Sequence, residues 1–306
     1  MTISTRKSPV RKAVFPVAGL GTRMLPATKS MPKEMLTIVD RPIIQLAVDE
    51  AREAGIEHFI FVTGRNKAVI EDHFDHAVEL EDTLQQRMKA TELAILEAAM
   101  IPAGKATFVR QQRPLGLGHA VACAEGVIGN EPFAVILPDM VMKGKPGCLT
   151  QMVEAYAQKG GNLIACEEAP ADELHRYGVL ALADAAQDIP RITGMVEKPA
   201  PGTAPSRQIV SGRYILQPEI LPLLRRTKPG AGGEIQLTDA MLALLAQDDF
   251  HAVKFTGETY DCGDRLGYIL ANLAFALSRK ALAQDLVPLA QKLLARATVE
   301  EQRKAA

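Results

Sequence analysis

Short apolar runs alternate with stretches of helical periodicity along the first half of the chain. Such alternation predicts βαβ units, and therefore a Rossmann-like α/β fold with a mostly parallel, mixed sheet flanked by helices. A further amphipathic stretch at 84–100 predicts one long inserted helix packed on the sheet edge. The predicted strands are 13–18, 58–64, 106–110, 133–137 and 162–166, and the clearest predicted helix is 43–54, followed by Gly55 as its C-terminal cap.

The pattern changes in the second half. Strand-like segments at 177–182, 191–197 and 209–216 are separated by Pro- and Gly-rich turns, which predicts an antiparallel extension of the sheet. Thr238 or Asp239 is placed to cap a following helix. We expect a flexible N-terminal tail at 1–11, one α/β domain at 12–265 and a C-terminal helical extension at 266–306.

Charge and composition exclude some classes of protein. Lys and Arg number 35 against 36 Asp and Glu, giving a net charge of −1, which argues against a general nucleic-acid or membrane-binding surface. No apolar run approaches the roughly 18 residues of a transmembrane helix. The four cysteines are scattered without a C-x-x-C pair, so we expect neither a zinc nor a redox site, and a reducing, cytoplasmic compartment.

A glycine-rich segment follows the first predicted strand. It comprises Ala18, Gly19, Leu20, Gly21 and Thr22, with the cations Arg23 and Lys33 close behind. Successive backbone N–H groups in such a turn form a concave site for anionic oxygens, so the segment predicts a polyphosphate-binding loop. The residues after Gly21 do not complete a Walker A motif, and Met24 replaces the closing Gly or Ala of the dinucleotide fingerprint, which disfavours a dehydrogenase.

Two aspartates follow later predicted strands. Asp139 ends the run Phe133–Leu137 through a single proline, and Asp261 follows the strand-like segment near 253–255. An isolated Leu-Pro-Asp is most simply a turn cap, but two carboxylates converging on a polyphosphate suit Mg²⁺. The sequence therefore predicts that Asp139 and Asp261 hold Mg²⁺.

A glutamine pair follows the predicted strand at 106–110. A Gln amide offers a donor and an acceptor side by side, which matches the N3–H and O4 edge of uracil. Gln111 and Gln112 are both candidates for reading the base, and Gly116 lets a base lie close to the backbone.

These motifs together resemble one family. The pattern G-x-G-T-R-M-x-P-x-T-x-x-x-x-K is complete from Gly19 to Lys33, and Q-x-x-x-x-G, L-P-D, E-K-P and D-C-G follow in order. The chain resembles the sugar-1-phosphate nucleotidyltransferases from about Lys12 to Tyr268, and among them the bacterial glucose-1-phosphate uridylyltransferases. The resemblance implies a fold of the nucleotidyltransferase, glycosyltransferase-A-like kind.

The resemblance also assigns roles to residues. It implies that Arg23 and Lys33 stabilise the departing pyrophosphate, that Lys198 holds the sugar phosphate, and that Gln111 rather than Gln112 reads the base. The nucleotide would be bound by Ala18, Gly19, Leu20, Gly21, Thr22, Gln111 and Gly116, the sugar phosphate by Gly178, Glu197, Lys198 and Gly212, and Mg²⁺ by Asp139 and Asp261.

The implied reaction transfers a uridylyl group from UTP to glucose 1-phosphate, giving UDP-glucose and pyrophosphate without a covalent intermediate. A thymidylyltransferase on the same scaffold and a non-catalytic, regulatory sugar-nucleotide-binding subunit are the alternatives. Neither a nucleic-acid nor a membrane partner is expected. Apolar helical segments from Leu270 onward predict a homo-oligomer, a dimer or a tetramer.

Overall fold

The computed structural model describes residues 8–230 and 233–305, with side chains to residue 297. The strands are β1 Lys12–Pro16, β2 Thr37–Ile38, β3 Arg41–Pro42, β4 His58–Thr63, β5 Ala106–Arg110, β6 Phe133–Ile136, β7 Met140–Lys143, β8 Asn162–Glu168, β9 Gly178–Ala183, β10 Arg191–Glu197, β11 Gln208–Leu216, β12 Phe250–Lys254 and β13 Glu258–Asp261. The helices are α1 Ile43–Glu53, α2 Ala68–His73, α3 Val78–Gln86, α4 Ala90–Ala99, α5 Leu117–Cys123, α6 Glu125–Ile128, α7 Cys148–Lys159, α8 Ile220–Arg226, α9 Leu237–Leu245, α10 Arg265–Leu277 and α11 Lys280–Ala305.

A nine-stranded mixed sheet forms the centre of the fold, in the order β5-β4-β1-β6-β11-β8-β12-β10-β9. The first four strands in this order are parallel, and β11 runs antiparallel to both β6 and β8. Strands β9 and β10 form an antiparallel pair at the far edge. The predicted parallel half and its antiparallel extension are therefore confirmed. Because β5, β4, β1 and β6 are parallel, their C-terminal loops emerge at one edge of the sheet.

The apolar runs form strands because both faces of the sheet are covered. One face packs on α1 and α7 through residues such as Ile44 and Leu149, and the other on α5, α8 and α9 through residues such as Val121 and Met241. Aromatic rings stack across neighbouring strands, with the Phe15 and Phe61 ring centroids 5.0 Å apart. This rigid centre fixes the positions of the loops that follow each parallel strand.

The inserted helical segment differs from its prediction. Residues 84–100 form parts of two helices, α3 and α4, because Met88 adopts a left-handed backbone (φ 54°) that ends the first of them. No side chain of either helix is buried, so the prediction of one long helix packed on the sheet edge is wrong.

The two ends of the chain are attached differently. Residues 1–7, most of the predicted tail, lie outside the described residues, whereas Val10 is buried in the core, so a tail reaching residue 11 is too long. At the other end α10 packs through Ala271 against Ile38 and Val141, and α11 continues the predicted helical extension. None of the helices in the described part of the chain has the length and apolar character needed to cross a bilayer.

Candidate active site

The glycine loop leaves the sheet directly after β1. Gly21 has φ 65°, and a Cβ at this position would lie 3.1 Å from Cγ2 of Thr28. The hydroxyl of Thr28 donates to the Gly21 carbonyl at 2.7 Å, and the N–H of Met24 donates to the same oxygen at 3.0 Å. Gly19 and Leu20 are exposed, so the predicted stretch Ala18–Thr22 is a fixed turn with its outer backbone open to a ligand.

The two predicted metal-binding aspartates lie side by side. Strand β13 pairs antiparallel with β7, which places Asp261 opposite Met140, and the N–H of Cys262 donates to the Asp139 carbonyl at 2.7 Å. A Cβ on Gly263 would lie 2.8 Å from Oδ1 of Asp261 and 3.2 Å from Oδ2 of Asp139. Both carboxylates therefore face the same point, which glycine leaves free of side-chain atoms.

Both predicted catalytic cations of the N-terminal segment reach this point. Nη1 of Arg23 lies 3.8 Å from the same Cβ position, and Nζ of Lys33 lies 2.6 Å from Oδ2 of Asp139. Two cations of the N-terminal segment and two aspartates more than a hundred residues further along the chain thus form one cluster beside the glycine loop.

The environment separates the pKa values of the two aspartates. Burial favours the neutral form of Asp139, but the Lys33 ammonium outweighs it and holds the pKa of Asp139 below its usual value. Burial, reinforced by Asp139 and Asp264, raises the pKa of Asp261. Burial opposes the charge of Lys33, yet Asp139 and Glu34 raise its pKa on balance, so Lys33 is a cationic donor at neutral pH.

The donor set fits a hard divalent cation. Two carboxylates face a space that a Cβ would fill, and Mg²⁺ takes one or two protein carboxylates together with substrate oxygens and water. Among the described residues, no group of three or more His, Cys, Asp or Glu side chains could enclose a metal ion. Asp139 and Asp261 are therefore the side chains that could hold such an ion here, together with oxygens from outside the protein.

The glutamine that follows β5 is fixed within its loop. Gln111 is 6% exposed while Gln112 is exposed, which favours Gln111 as the base reader. Its Nε2 donates to the Gly116 carbonyl at 3.1 Å and lies 2.9 Å from Nδ1 of His119. The amide nitrogen is thus engaged within the protein, and the expectation that it would offer a donor beside the acceptor does not hold in this arrangement.

The segment at 234–235 packs against the loop that follows β5. Gly116 has φ 99°, and a Cβ there would lie 2.7 Å from Cβ of Glu234. The N–H of Ile235 donates to the Leu115 carbonyl at 2.7 Å, and the N–H of Gly118 donates to the Ile235 carbonyl at 2.8 Å. The glycines therefore permit close backbone packing that fixes the loop after β5.

The predicted sugar-side residues meet between β9 and β10. Gly178 pairs with Glu197, whose Oε2 would lie 3.2 Å from a Cβ at Gly178. Thr238 donates to the same Oε2 at 2.9 Å, and the helix begins at Leu237 without a side-chain cap, so the predicted capping by Thr238 or Asp239 is wrong. Lys198 has φ 47°, donates its N–H to Tyr177 at 3.0 Å and keeps its side chain 58% exposed.

A cavity lies between Tyr177, which precedes β9, and Asp261. It has a volume of about 170 Å³, and its lining includes Tyr177, Asp261, Met140 and Glu167. The Tyr177 carbonyl also accepts from the Lys198 N–H, so the residue after Glu197 is attached to one wall of this cavity. Burial raises the pKa of Glu167, which accepts a hydrogen bond from Ser211 at 3.1 Å.

Gly212 has a packing role in the structure. A Cβ there would lie 2.9 Å from Cγ of Met140 and 3.2 Å from Cβ of Leu137, and its own carbonyl accepts from the Leu137 N–H at 2.9 Å. Gly212 thus lets β11 approach the turn that carries Asp139, and its contact with the sugar stays a prediction.

Arg213, to which the sequence pattern gave no structural role, supports the turn that carries Asp139. Its guanidinium is buried, lies 2.7 Å from Oε2 of Glu50, and donates to the carbonyls of Leu137 and Met140, both at 2.9 Å. These carbonyls flank Asp139. An Arg within an apolar strand pattern was the available signal, because a buried charge requires dedicated partners.

A second buried ion pair was missed beside Lys33. Nζ of Lys67 lies 2.8 Å from Oε2 of Glu34, and the two side chains are 7% and 1% exposed. Glu34 follows Lys33 directly, in the short 3-10 turn Lys33–Met35. The pair thus attaches this turn to the loop after β4.

The sequence model of the nucleotidyl transferase family matches residues 12–276, and the chain belongs to that family. Enzymes of the family generally use a divalent metal ion.

Relatives of named activity match most of the chain. It is 48% identical over 258 residues to the UTP–glucose-1-phosphate uridylyltransferase of Komagataeibacter xylinus, which covers 84% of this chain and 91% of the relative. It is 46% identical over 285 residues to the Bacillus subtilis enzyme of the same name, covering 93% and 97%.

Solved structures give the same result. A UTP-bound UGPase from Acinetobacter baumannii superposes with a TM-score of 0.86 at 43% identity, over 93% of this chain and 99% of the other. A UDP-glucose pyrophosphorylase complexed with UDP-glucose superposes with a TM-score of 0.79 at 42% identity, over 88% and 100%.

Proposed function

We propose that this protein is a UTP–glucose-1-phosphate uridylyltransferase, which converts UTP and glucose 1-phosphate into UDP-glucose and pyrophosphate. One observation carries the proposal: Arg23, Lys33, Asp139 and Asp261 surround a single point beside Gly263, next to the glycine loop. Relatives of that name at 46–48% identity support the choice of substrates.

The sugar phosphate is already a nucleophile, so the site needs alignment and charge stabilisation rather than an activated side chain. A phosphate oxygen of glucose 1-phosphate attacks the α-phosphorus of UTP, the bond from that phosphorus to the bridging oxygen breaks, and pyrophosphate leaves with the electron pair. The exposed ammonium of Lys198 would hold the incoming phosphate in line. Arg23 and Lys33 would donate to the leaving pyrophosphate as its charge develops.

The proposed cofactor is Mg²⁺, held by Asp139 and Asp261. When bound, it would supply positive charge that stabilises the phosphate groups during uridylyl transfer. The lowered pKa of Asp139 keeps this carboxylate ionised for that role, and Lys33 remains protonated beside it.

The sugar side is the remaining part of the proposed site. Glu197, held by the Thr238 hydroxyl, would accept from hexose hydroxyls, and Gly178 leaves room for the ring beside it. The cavity of about 170 Å³ next to Tyr177 extends this space toward Asp261.

The decisive assay measures pyrophosphate release for UTP, dTTP and ATP against glucose 1-phosphate and galactose 1-phosphate, each with Mg²⁺ and with EDTA. We expect Mg²⁺-dependent release with UTP and glucose 1-phosphate. The Asp139→Asn protein, which keeps the side-chain volume, should lose most of it. Turnover with dTTP in preference to UTP would instead support the thymidylyl alternative, and binding without any turnover would support a regulatory subunit.

We propose further that the chain forms a dimer or a tetramer in the cytoplasm. The C-terminal helices α10 and α11 expose leucines that a second copy would cover, including Leu266, Leu293 and Leu294. All four cysteines are free, as a reducing compartment favours. Sedimentation of the purified protein tests the assembly, and a monomer at micromolar concentration would contradict it.

A further inference from the structure

The side-chain amide of Gln111 has two protein partners, and both face its nitrogen. Nε2 lies 3.1 Å from the Gly116 carbonyl oxygen and 2.9 Å from Nδ1 of His119. A carbonyl oxygen only accepts, so the amide atom beside Gly116 must be the nitrogen. One of its two hydrogens points to Gly116 and the other to His119.

His119 must then present a lone pair at Nδ1. The Sγ atom of Cys123, one turn further along α5, lies 3.7 Å from the same nitrogen. Burial raises the pKa of Cys123, so this thiol keeps its proton and is itself a donor. Two donors converge on Nδ1, so this nitrogen is an acceptor and the ring N–H is at Nε2.

The two hydrogen bonds of Nε2 determine which atom of the Gln111 amide can face a base. With both amide hydrogens engaged, the oxygen Oε1 remains, and the described residues give it no donor. An acceptor at this position pairs with the N3–H of uracil or thymine. It repels cytosine, whose N3 carries a lone pair.

We propose that His119 is the residue that sets the nucleotide selectivity of this site, by fixing the Gln111 amide with its oxygen toward the base. The inference rests on the proposed function, because it assumes that Gln111 reads the base of UTP. His119 itself is held in place because Gly118, its neighbour on α5, donates to the Ile235 carbonyl at 2.8 Å.

Two substitutions separate this positioning role from simple packing. In His119→Asn the side-chain oxygen can replace Nδ1 as acceptor, whereas His119→Leu fills the space without one. His76→Leu is the matched control, since that histidine is 65% exposed and contacts Glu81 outside the site. For each protein we would titrate UTP and CTP directly, and measure KM for UTP and for glucose 1-phosphate.

We expect His119→Leu to weaken UTP binding by about 2- to 10-fold, the range for one lost hydrogen bond. The ratio of the affinity for UTP to the affinity for CTP should fall by at least the same factor. KM for glucose 1-phosphate should stay unchanged, and His119→Asn should behave like the wild type. An unchanged UTP-over-CTP ratio in His119→Leu would overturn the inference, as would an equal defect in His119→Asn. If wild-type protein releases no pyrophosphate, the proposed reaction fails, and the two titrations still decide the role of His119.

Discussion

The substitution Arg213→Met tests whether the turn that carries Asp139 depends on one buried guanidinium. Arg213 is 1% exposed and forms the ion pair with Glu50, which is itself 11% exposed. Its remaining donors satisfy the carbonyls of Leu137 and Met140. Methionine keeps an unbranched apolar stem without any donor, so the Glu50 carboxylate loses its cation and both carbonyls lose the guanidinium as a donor.

The expected magnitudes follow from this geometry. Removing one partner of a buried ion pair costs about 3–5 kcal/mol, and the lower value applies because Glu50 also accepts from the Leu149 N–H at 3.0 Å. At about 2–4 °C of Tm per kcal/mol, Tm should fall by about 6–12 °C. A displacement of Asp139 by about 1 Å should lower kcat/KM by about 100-fold.

The double variant Arg213→Met/Glu50→Gln separates stability from positioning. Glutamine removes the buried charge and still accepts from Leu149, so most of the lost Tm should return, whereas the turn at Asp139 stays unsupported. Thermal unfolding and pyrophosphate release measure the two effects on the same samples. If the double variant regains wild-type kcat/KM together with its Tm, then Arg213 acts through stability alone and our reasoning is wrong.

Three further predictions concern single residues. Lys198→Ala should lower kcat by about 10²–10³ without changing Tm, because its side chain is 58% exposed; a kcat within tenfold of wild type in the pyrophosphate assay would refute its role. Gln111→Ala should raise KM for UTP while Gln112→Ala, at an exposed position, should not, and the reverse result would reassign the base reader. Lys67→Met should lower Tm at pH 7, because it leaves Glu34 buried without its ion-pair partner. Burial already raises the pKa of Glu34, and loss of Lys67 raises it further, so in the folded variant Glu34 becomes protonated at a higher pH than in the unfolded chain. Because a protonated Glu34 needs no cation, the Tm deficit of the variant should shrink as pH falls toward 5. A deficit that grows over this range would contradict the prediction.

Much of the fold could be predicted because parallel strands are buried on both faces. The apolar runs of β1, β4 and β6 are nearly continuous, so these strands are recognisable without any knowledge of their partners, whereas β5 lies at the sheet edge and is only partly buried. The loops that follow such strands share one edge, which is why Lys33 and Asp139 could be expected together. Exposed helices carry a weaker signal: the break at Met88 depends on a single backbone conformation, which the helical pattern does not reveal.

The parts of the site that escaped prediction depend on tertiary contacts. The sequence at 211–214 is compatible with a ligand-facing strand, and only the fold shows that the Arg213 side chain contacts Glu50 on the distant helix α1. Thr238 has the residue type of an N-cap, but the neighbouring carboxylate of Glu197 takes its hydroxyl. Likewise the donor capacity of Gln111 depends on His119, whose orientation follows from the packing of α5.

The short segment from Ile235 to Thr238 touches both halves of the proposed site. At one end it pairs with the backbone around Gly118, and at the other it binds Glu197 beside Gly178. The separation between the proposed uracil side and the proposed hexose side is thus set by a segment of only four residues. A redesign that inserts a residue there would misalign two substrates at once, whereas enlarging the space around Gly178 would change the choice of sugar alone.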